Sequence, residues 1–215
     1  MEIENIKVLQ NKVVTVIDKN LLSDIKKLNV SCIPKRLFNL NINDDIGFNT
    51  KDYDKDKLNE LLDLFGLDED ILYRNYREIS KSEYNKIRII ICLLDKKPIL
   101  VLENPTDGLD IKSKKSLIKV LKREKRNDKI IFVKSNDSEF LFSVSNVIIY
   151  RDKDKYVIND NKYNFFSNKR LLKDLDIEQP NIMIFYDEAR KNKKVRLLNR
   201  DNINDLIKEI YRHAK

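Results

Sequence analysis

The chain has 215 residues and is 41% hydrophobic, enough for one substantial core and a small appended unit. Charged residues make up 36% and the formal net charge is +8, yet apolar runs and helical stripes recur throughout, which excludes a wholly disordered chain. No apolar run approaches the roughly 18–20 residues of a bilayer-spanning helix, and the first thirty residues lack the pattern of a signal peptide, so the expectation is a cytosolic protein.

The elements follow in chain order. "KDKLNELLDLFGL" places Leu58, Leu61, Leu62 and Phe65 on one helical stripe, with Gly66 where a helix C-terminus favours it. "SKSEYNKIRIIICLL" opens with Ser80 and Glu83 in capping-box spacing and then turns almost wholly apolar, which predicts a buried helix. "PILVL" and "KIIFV" are short continuous apolar runs that suit parallel strands covered on both faces. A basic helix lies between them, and "NVIIY" supplies a further strand. "VIIYRDKDKYVIN" reads as a hairpin turned around Asp152–Asp154. The order predicts an α/β domain with a mostly parallel sheet over residues 1–160. From 161 to 215 the pattern becomes helical, with Ile203, Leu206, Ile207 and Ile210 on one stripe of the last helix, so a small C-terminal helical appendage is expected.

Cys32 and Cys92 lie in apolar contexts without CxxC spacing and read as reduced thiols rather than a disulfide or a metal site. The single histidine, His213, makes zinc sites and histidine-based triads poor candidates, and no metal site is expected. Between Lys112 and Lys129 nine Lys or Arg stand against Glu124 and Asp128, a local net of +7. Such a patch binds nucleic acid or anionic lipid, or is simply the solvated face of a helix whose other face carries Leu117, Ile118 and Leu121. No aromatic residue interleaves the charges for base stacking, which favours the solvated face.

The stretch "KPILVLENPTDGLD", residues 97–110, has the layout of a strand and loop that hold magnesium and activate water. From Glu78 to Asp110 the sequence resembles the ATP-binding cassette (ABC) ATPases without a gap. The signature loop of that family matches "ISKSE" at 79–83, its acidic strand "ILVLENPT" at 99–106, and its D-loop "DGLD" at 107–110. "IIFVKSND" resembles the H-loop and puts Asn136 at the switch-histidine position. "VSCIPKRLFNLNINDDIGF" resembles the Q-loop region, with Lys35 at the glutamine position. "NKVVTVIDKNLLSDIKKLN" resembles the strand-and-turn segment between P-loop and Q-loop, and "MEIENIKVL" the first strand of the family. The tail "NFFSNKRLLKDLDIEQP" and the helices after it resemble the cassette subunits of energy-coupling factor (ECF) importers.

The resemblance implies a truncated P-loop-NTPase-like fold, and the departures from it are chemical. Only glycines let successive backbone N–H groups turn onto phosphates in GxxxxGK[ST]. The glycines here, Gly47, Gly66 and Gly108, are never five apart and none precedes a lysine. The P-loop and its helix therefore read as cut out, which would uncover one face of the central sheet for a partner or the N-terminal segment to cover. Asn104 replaces the carboxylate that polarises the attacking water, and a carboxamide is a very poor proton acceptor. Glu103 keeps a charge one methylene further forward than the usual magnesium ligand, and Asn136 cannot carry the charge of an imidazole. Lys81 and Ser82 replace two signature glycines, and Ser80 is accounted for by helix capping.

No catalytic residue is therefore expected. Vestigial strand-edge positions are Glu103 and Asn104, the switch position is Asn136, and nucleotide-facing remnants are Ser80, Lys81, Ser82, Glu83, Asp110 and Lys35. One reading is a pseudo-ATPase, a non-catalytic cassette subunit at the inner face of the cell membrane. It would pair with an active cassette ATPase and dock on a polytopic membrane scaffold through a groove near residues 33–70. ATP and magnesium would come from the partner rather than be bound autonomously, with Lys81 touching the partner's nucleotide. A second reading is a soluble regulatory or scaffold protein that binds nucleic acid through helix 112–129, in a manner sensitive to charge reversal at Lys114, Lys115, Lys122 and Arg126. A third is a weak ATPase relying on Glu103, or a decayed gene product.

Overall fold

The computed structural model describes residues 9–38, 41–193 and 203–213. A six-stranded sheet forms the centre: β1 (Lys12–Val16), β2 (Ser31–Cys32), β3 (Ile99–Glu103), β4 (Ile130–Lys134), β5 (Val147–Asp152) and β6 (Lys155–Asn159). Their spatial order is β2-β3-β4-β1-β5-β6, and every pairing is parallel except that of β5 with β6. The strands read as continuous apolar runs because both faces of the sheet are covered. Val13, Leu100, Leu102, Ile131, Val133 and Ile148 face one cluster, and Val14, Val16, Val101, Phe132 and Ile149 face the other.

On the larger face lie α2 (Ile42–Asn49), α3 (Lys55–Phe65), a short 3-10 turn (Glu69–Tyr73), α4 (Lys81–Leu94), α5 (Ile111–Glu124) and α6 (Ser138–Val144). Helix α4 is the most buried, with Ile87, Ile89, Ile90, Ile91, Leu93 and Leu94 nearly inaccessible, each contributing roughly 1.5–3 kcal/mol by burial. Helix α3 ends at Gly66 in the left-handed region (φ 64°), as the stripe and its terminal glycine predict. The hairpin between β5 and β6 turns at Lys153, also left-handed (φ 53°), and β6 forms a largely exposed edge.

The other face corrects an expectation. The segment "NKVVTV" is β1, a central strand hydrogen-bonded in parallel between β4 and β5. It is followed at once by α1 (Lys19–Ile25), whose Leu21, Leu22 and Ile25 pack on Val14, Val16, Phe132 and Ile149. The face expected to lie uncovered is therefore closed from within the chain, because a two-residue turn brings α1 straight back over it. The expected first strand "MEIENIKVL" falls outside the described residues except for Leu9, which joins that cluster.

Beyond residue 160 the described residues include four helices: α7 (Lys162–Ser167), α8 (Lys169–Asp174), α9 (Asn181–Lys193) and α10 (Ile203–His213). Their apolar residues share the core of the sheet. Phe165 and Phe166 pack edge to face at 5.0 Å, Phe166 meets Phe142 at 5.6 Å, and Phe165 meets Tyr150 at 5.6 Å. On α10, Leu206 is buried and Ile207 half-buried while Ile203 is exposed, and the side chains of Ile210 and His213 lie outside the described residues. Among the described residues no helix is long and apolar enough to cross a membrane, no group of residues could hold a metal ion, and both cysteines are free.

Candidate functional site

Open parallel sheets bind ligands outside the carboxyl ends of their strands, at the point where successive connections leave in opposite directions. Here β1 leaves through α1 toward the β2 edge, while neighbouring β4 leaves through α6 toward β5. The loops after β1, β2, β3 and β4 converge at that end. They carry Asp18, Lys35, Glu103, Asn104, Ser135 and Asn136, scattered along the sequence, to the same end of the sheet.

Glu103 ends β3 and pairs in register with Lys134 at the end of β4. Lys26, just past α1, places its Nζ 2.5 Å from Glu103 Oε2, and Lys134 Nζ stands 3.7 Å from Oε1. The hydrogen bond from Lys26 is the main reason the Glu103 carboxyl is held below its ordinary range, and Lys134 adds to the effect. Asn104 follows in the left-handed region (φ 46°), its N–H donating to the Lys134 carbonyl at 2.7 Å and its carbonyl accepting from Asp107 N at 3.2 Å. Asparagine tolerates that conformation better than a longer acid, so position 104 has a backbone reason for its residue.

At the β1–α1 junction only Ile17 and Asp18 separate strand from helix. Asp18 caps the helix, its Oδ1 accepting from Leu21 N at 2.7 Å. A carboxylate of the chain itself thus occupies the helix start, where successive N–H groups could otherwise receive an anion.

The signature-like segment forms the start of α4. Glu83 N donates to Ser80 Oγ at 3.2 Å and Ser80 N to Glu83 Oε2 at 2.7 Å, a complete capping box. The bond from the Ser80 backbone is the first cause of the lowered Glu83 pKa. Lys81 is exposed, and Ser82 Oγ is buried without a hydrogen-bond partner among the described residues. The D-loop is fastened to α4: Asn85 Nδ2 donates to the Asp107 carbonyl at 2.9 Å, and Lys86 pairs with Asp110 at 3.5 Å. Asp110 caps α5, accepting from Ser113 N at 2.7 Å, and that bond leads in lowering its pKa. Gly108 (φ 69°) lies so near that an added Cβ would stand 3.0 Å from Asn85 Nδ2.

Asn136 is exposed. It lines an open cleft of about 840 Å³ with Thr106, Asp107, Ser138 and, from the tail, Gln179 and Asn181. Lys114 is paired there with Asp137 at 2.6 Å. Elsewhere on the basic segment 112–129, Arg123 pairs with Glu60, and the buried Glu124 holds Lys57 and Lys129. Lys112, Lys115, Lys119, Lys122 and Arg126 face solvent.

Three site residues escaped sequence reasoning: Asp18, Lys26 and Lys134. Lys134 was within reach, since pairing β3 with β4 in parallel sets it beside Glu103. Lys26 has no sequence signal, because 77 residues separate it from its partner.

No protein-family model matches the chain. It is 27% identical over 189 residues to the energy-coupling factor transporter ATP-binding protein EcfA2 of Spiroplasma kunkelii, covering 84% of this chain and 62% of that protein. A putative ABC transporter ATP-binding protein of Mycoplasma genitalium is 30% identical over 152 residues, covering 69% and 42%. The EcfA2 of Staphylococcus epidermidis is 26% identical over 163 residues, covering 73% and 57%. The chain is a homologue of the ABC ATP-binding cassette proteins. It spans about two fifths to three fifths of the length of these cassette relatives. Solved cassettes share its α/β fold. An ATP-binding subunit of an ABC transporter superposes with a TM-score of 0.58 at 13% identity, covering 83% of this chain and 88% of that one. The cbiO1 protein of Clostridium perfringens, part of the ABC transporter complex cbiONQ, gives 0.56 at 14% identity with the same coverage.

Proposed function

We propose that this cassette homologue is a non-catalytic subunit of an ECF-type importer, pairing with an active cassette ATPase and docking on a membrane scaffold at the inner face of the membrane. The observation that carries the reading is the engagement of Glu103. A carboxylate at the end of the β3 strand could ligate magnesium only if its oxygens were open to a metal, and here each oxygen faces a lysine. The residues do not fit an autonomous magnesium–nucleotide site. The β1–α1 turn offers no run of N–H groups, Asp18 already caps the helix, Asn104 is no base, and Ser80 is spent in its capping box. Hydrolysis would not run through this chain, and nucleotide and magnesium would be held by the partner.

Three large apolar residues, Phe38, Phe48 and Tyr73, are 59%, 74% and 77% exposed on the segment that follows β2. They supply an apolar surface for a helix of the scaffold in the groove near residues 33–70. Exposed Lys81, at the mouth of α4 beside the D-loop, would meet the partner's nucleotide electrostatically. Tail helices α9 and α10 carry exposed Ile184, Ile203 and Tyr211, which would assist the pairing.

The test is co-purification of the tagged full chain from its native membrane, with and without ATP. The expected result is recovery of a complete cassette ATPase together with a polytopic membrane protein. Recovery of soluble proteins or nucleic acid alone would sink the transporter assignment, and charge reversal at Lys115 and Lys122 would then show whether the α5 cations are responsible.

A further inference from the structure

We propose that the crevice beside Glu103 is a metal-independent phosphate site, in which Lys26, Lys35 and Arg88 supply the positive charge that a divalent cation would otherwise bring. The site uses the strand-edge geometry described above but does not depend on the proposed assembly.

The crevice lies at the carboxyl ends of β2 and β3, on the side of β4 away from the switch point but at the same end of the sheet, where such folds receive ligands. Lys26, Lys35, Arg88 and Glu103 line it, over apolar walls that include Ile33 and Val101. With Lys134 behind Glu103, four cations stand against one acid, a formal excess of +3. Glu103 does not act as a bare repulsive charge, since Lys26 and Lys134 each hold one of its oxygens. What remains directed at the crevice is donor capacity. A lysine ammonium has three N–H groups, and Lys26 spends one on Glu103. Arg88 is fixed in place, Nε donating to the Pro34 carbonyl at 2.5 Å and Nη1 to Asn85 Oδ1 at 3.0 Å, which leaves further N–H groups of its rigid fork. Lys35 is exposed at the rim and free to close over an anion.

Size decides which anion. The crevice holds about 110 Å³, three or four times the roughly 30 Å³ share of one water molecule. Pockets for larger ligands run to about 300–1,000 Å³. One tetrahedral phosphate group fits, and the rest of a nucleotide would extend beyond it. An adjoining space of about 220 Å³ shares Ile33, Arg88 and Glu103, so a substituent on the phosphate has an open way out. The shared chemistry is that of a phosphate dianion, whether free or the end of a nucleotide.

The experiment titrates inorganic phosphate, and separately ATP, into the full chain in EDTA, followed by calorimetry and phosphorus NMR. Saturable one-to-one phosphate binding is expected, unchanged on adding magnesium. Lys35→Gln, an exposed position where the fold tolerates change, should weaken it about tenfold, while Lys115→Gln on the solvent face of α5 leaves it unaltered. ATP that displaces phosphate identifies the end of a nucleotide as the ligand, and ATP that does not leaves free phosphate as the ligand. Absence of saturable binding, a requirement for magnesium, or indifference to Lys35→Gln would overturn the proposal. Because the isolated chain is titrated, such a failure leaves the importer reading standing, and failure to recover membrane partners leaves the phosphate site standing.

Discussion

Lys26 Nζ lies 2.5 Å from Glu103 Oε2, an ion pair that ties the end of α1 to the end of β3 across the edge of the sheet. Both side chains are partly exposed, at 35% and 42%, so water screens the pair. Lys26→Ala should therefore cost less than about 1 kcal/mol in urea unfolding. It should also raise the Glu103 carboxyl toward its ordinary value of 4.5, read by carbon NMR titration. The sign follows from the depressed folded value. What the pair contributes is present above the unfolded pKa and is lost as pH falls through the folded one. A Glu103 titration unchanged in Lys26→Ala would remove the ion pair from the account of this site.

Glu124 behaves differently because it is buried, with 2% of its side chain exposed. Burial pushes its carboxyl upward, but Lys129 and Lys57, each 3.0 Å away, together bring it below the ordinary value of 4.5. Glu124→Ala leaves two lysines facing an apolar gap and should destabilise by about 3 kcal/mol, near the low end for a broken buried pair because Lys57 keeps some water. The wild-type contribution is present above the unfolded pKa and is lost as pH falls through the lowered folded value. Urea midpoints of both proteins should therefore converge in acid, and a constant gap between pH 7 and pH 3 would contradict the assignment.

Gly108 combines a left-handed backbone with close contact to Asn85. Gly108→Ala should cost about 1–2 kcal/mol from the backbone alone, with the contact adding to it. Asn85→Ala removes the contact but not the backbone cost, so the double variant should recover only part of the loss. Full recovery would mean that contact, not conformation, reserves this position for glycine.

Asn104→Glu restores the acid at the strand edge but not a phosphate loop. ATP turnover by the purified variant is expected to stay at the rate of buffer alone, while thermal stability falls by about 1 kcal/mol because a longer acid must adopt φ 46°. Turnover appearing with this single change would defeat the non-catalytic reading.

Much of this fold is written in local pattern. The Leu58–Phe65 stripe with Gly66, the Ser80–Glu83 box, the runs "ILVL" and "IIFV" and the hairpin at Lys153 each rest on contacts within a few residues, or on burial of both faces of a strand. The place of "KVVTV" was not legible. Its residues suit any buried strand, and only parallel pairing to partners more than a hundred residues away sets it between β4 and β5. The same holds for α1, a seven-residue helix too short to announce itself, which closes the face expected to lie open.

The sequence by itself determined the α/β class, the helix caps and the spacing of its three glycines, because backbone conformation and periodicity are local properties. Tertiary structure alone decided which strand stands at the centre, and that Lys26 and Lys134 would close on Glu103. Those outcomes depend on strand order and on charges meeting between residues 77 and 31 positions apart in sequence, and no local preference specifies either.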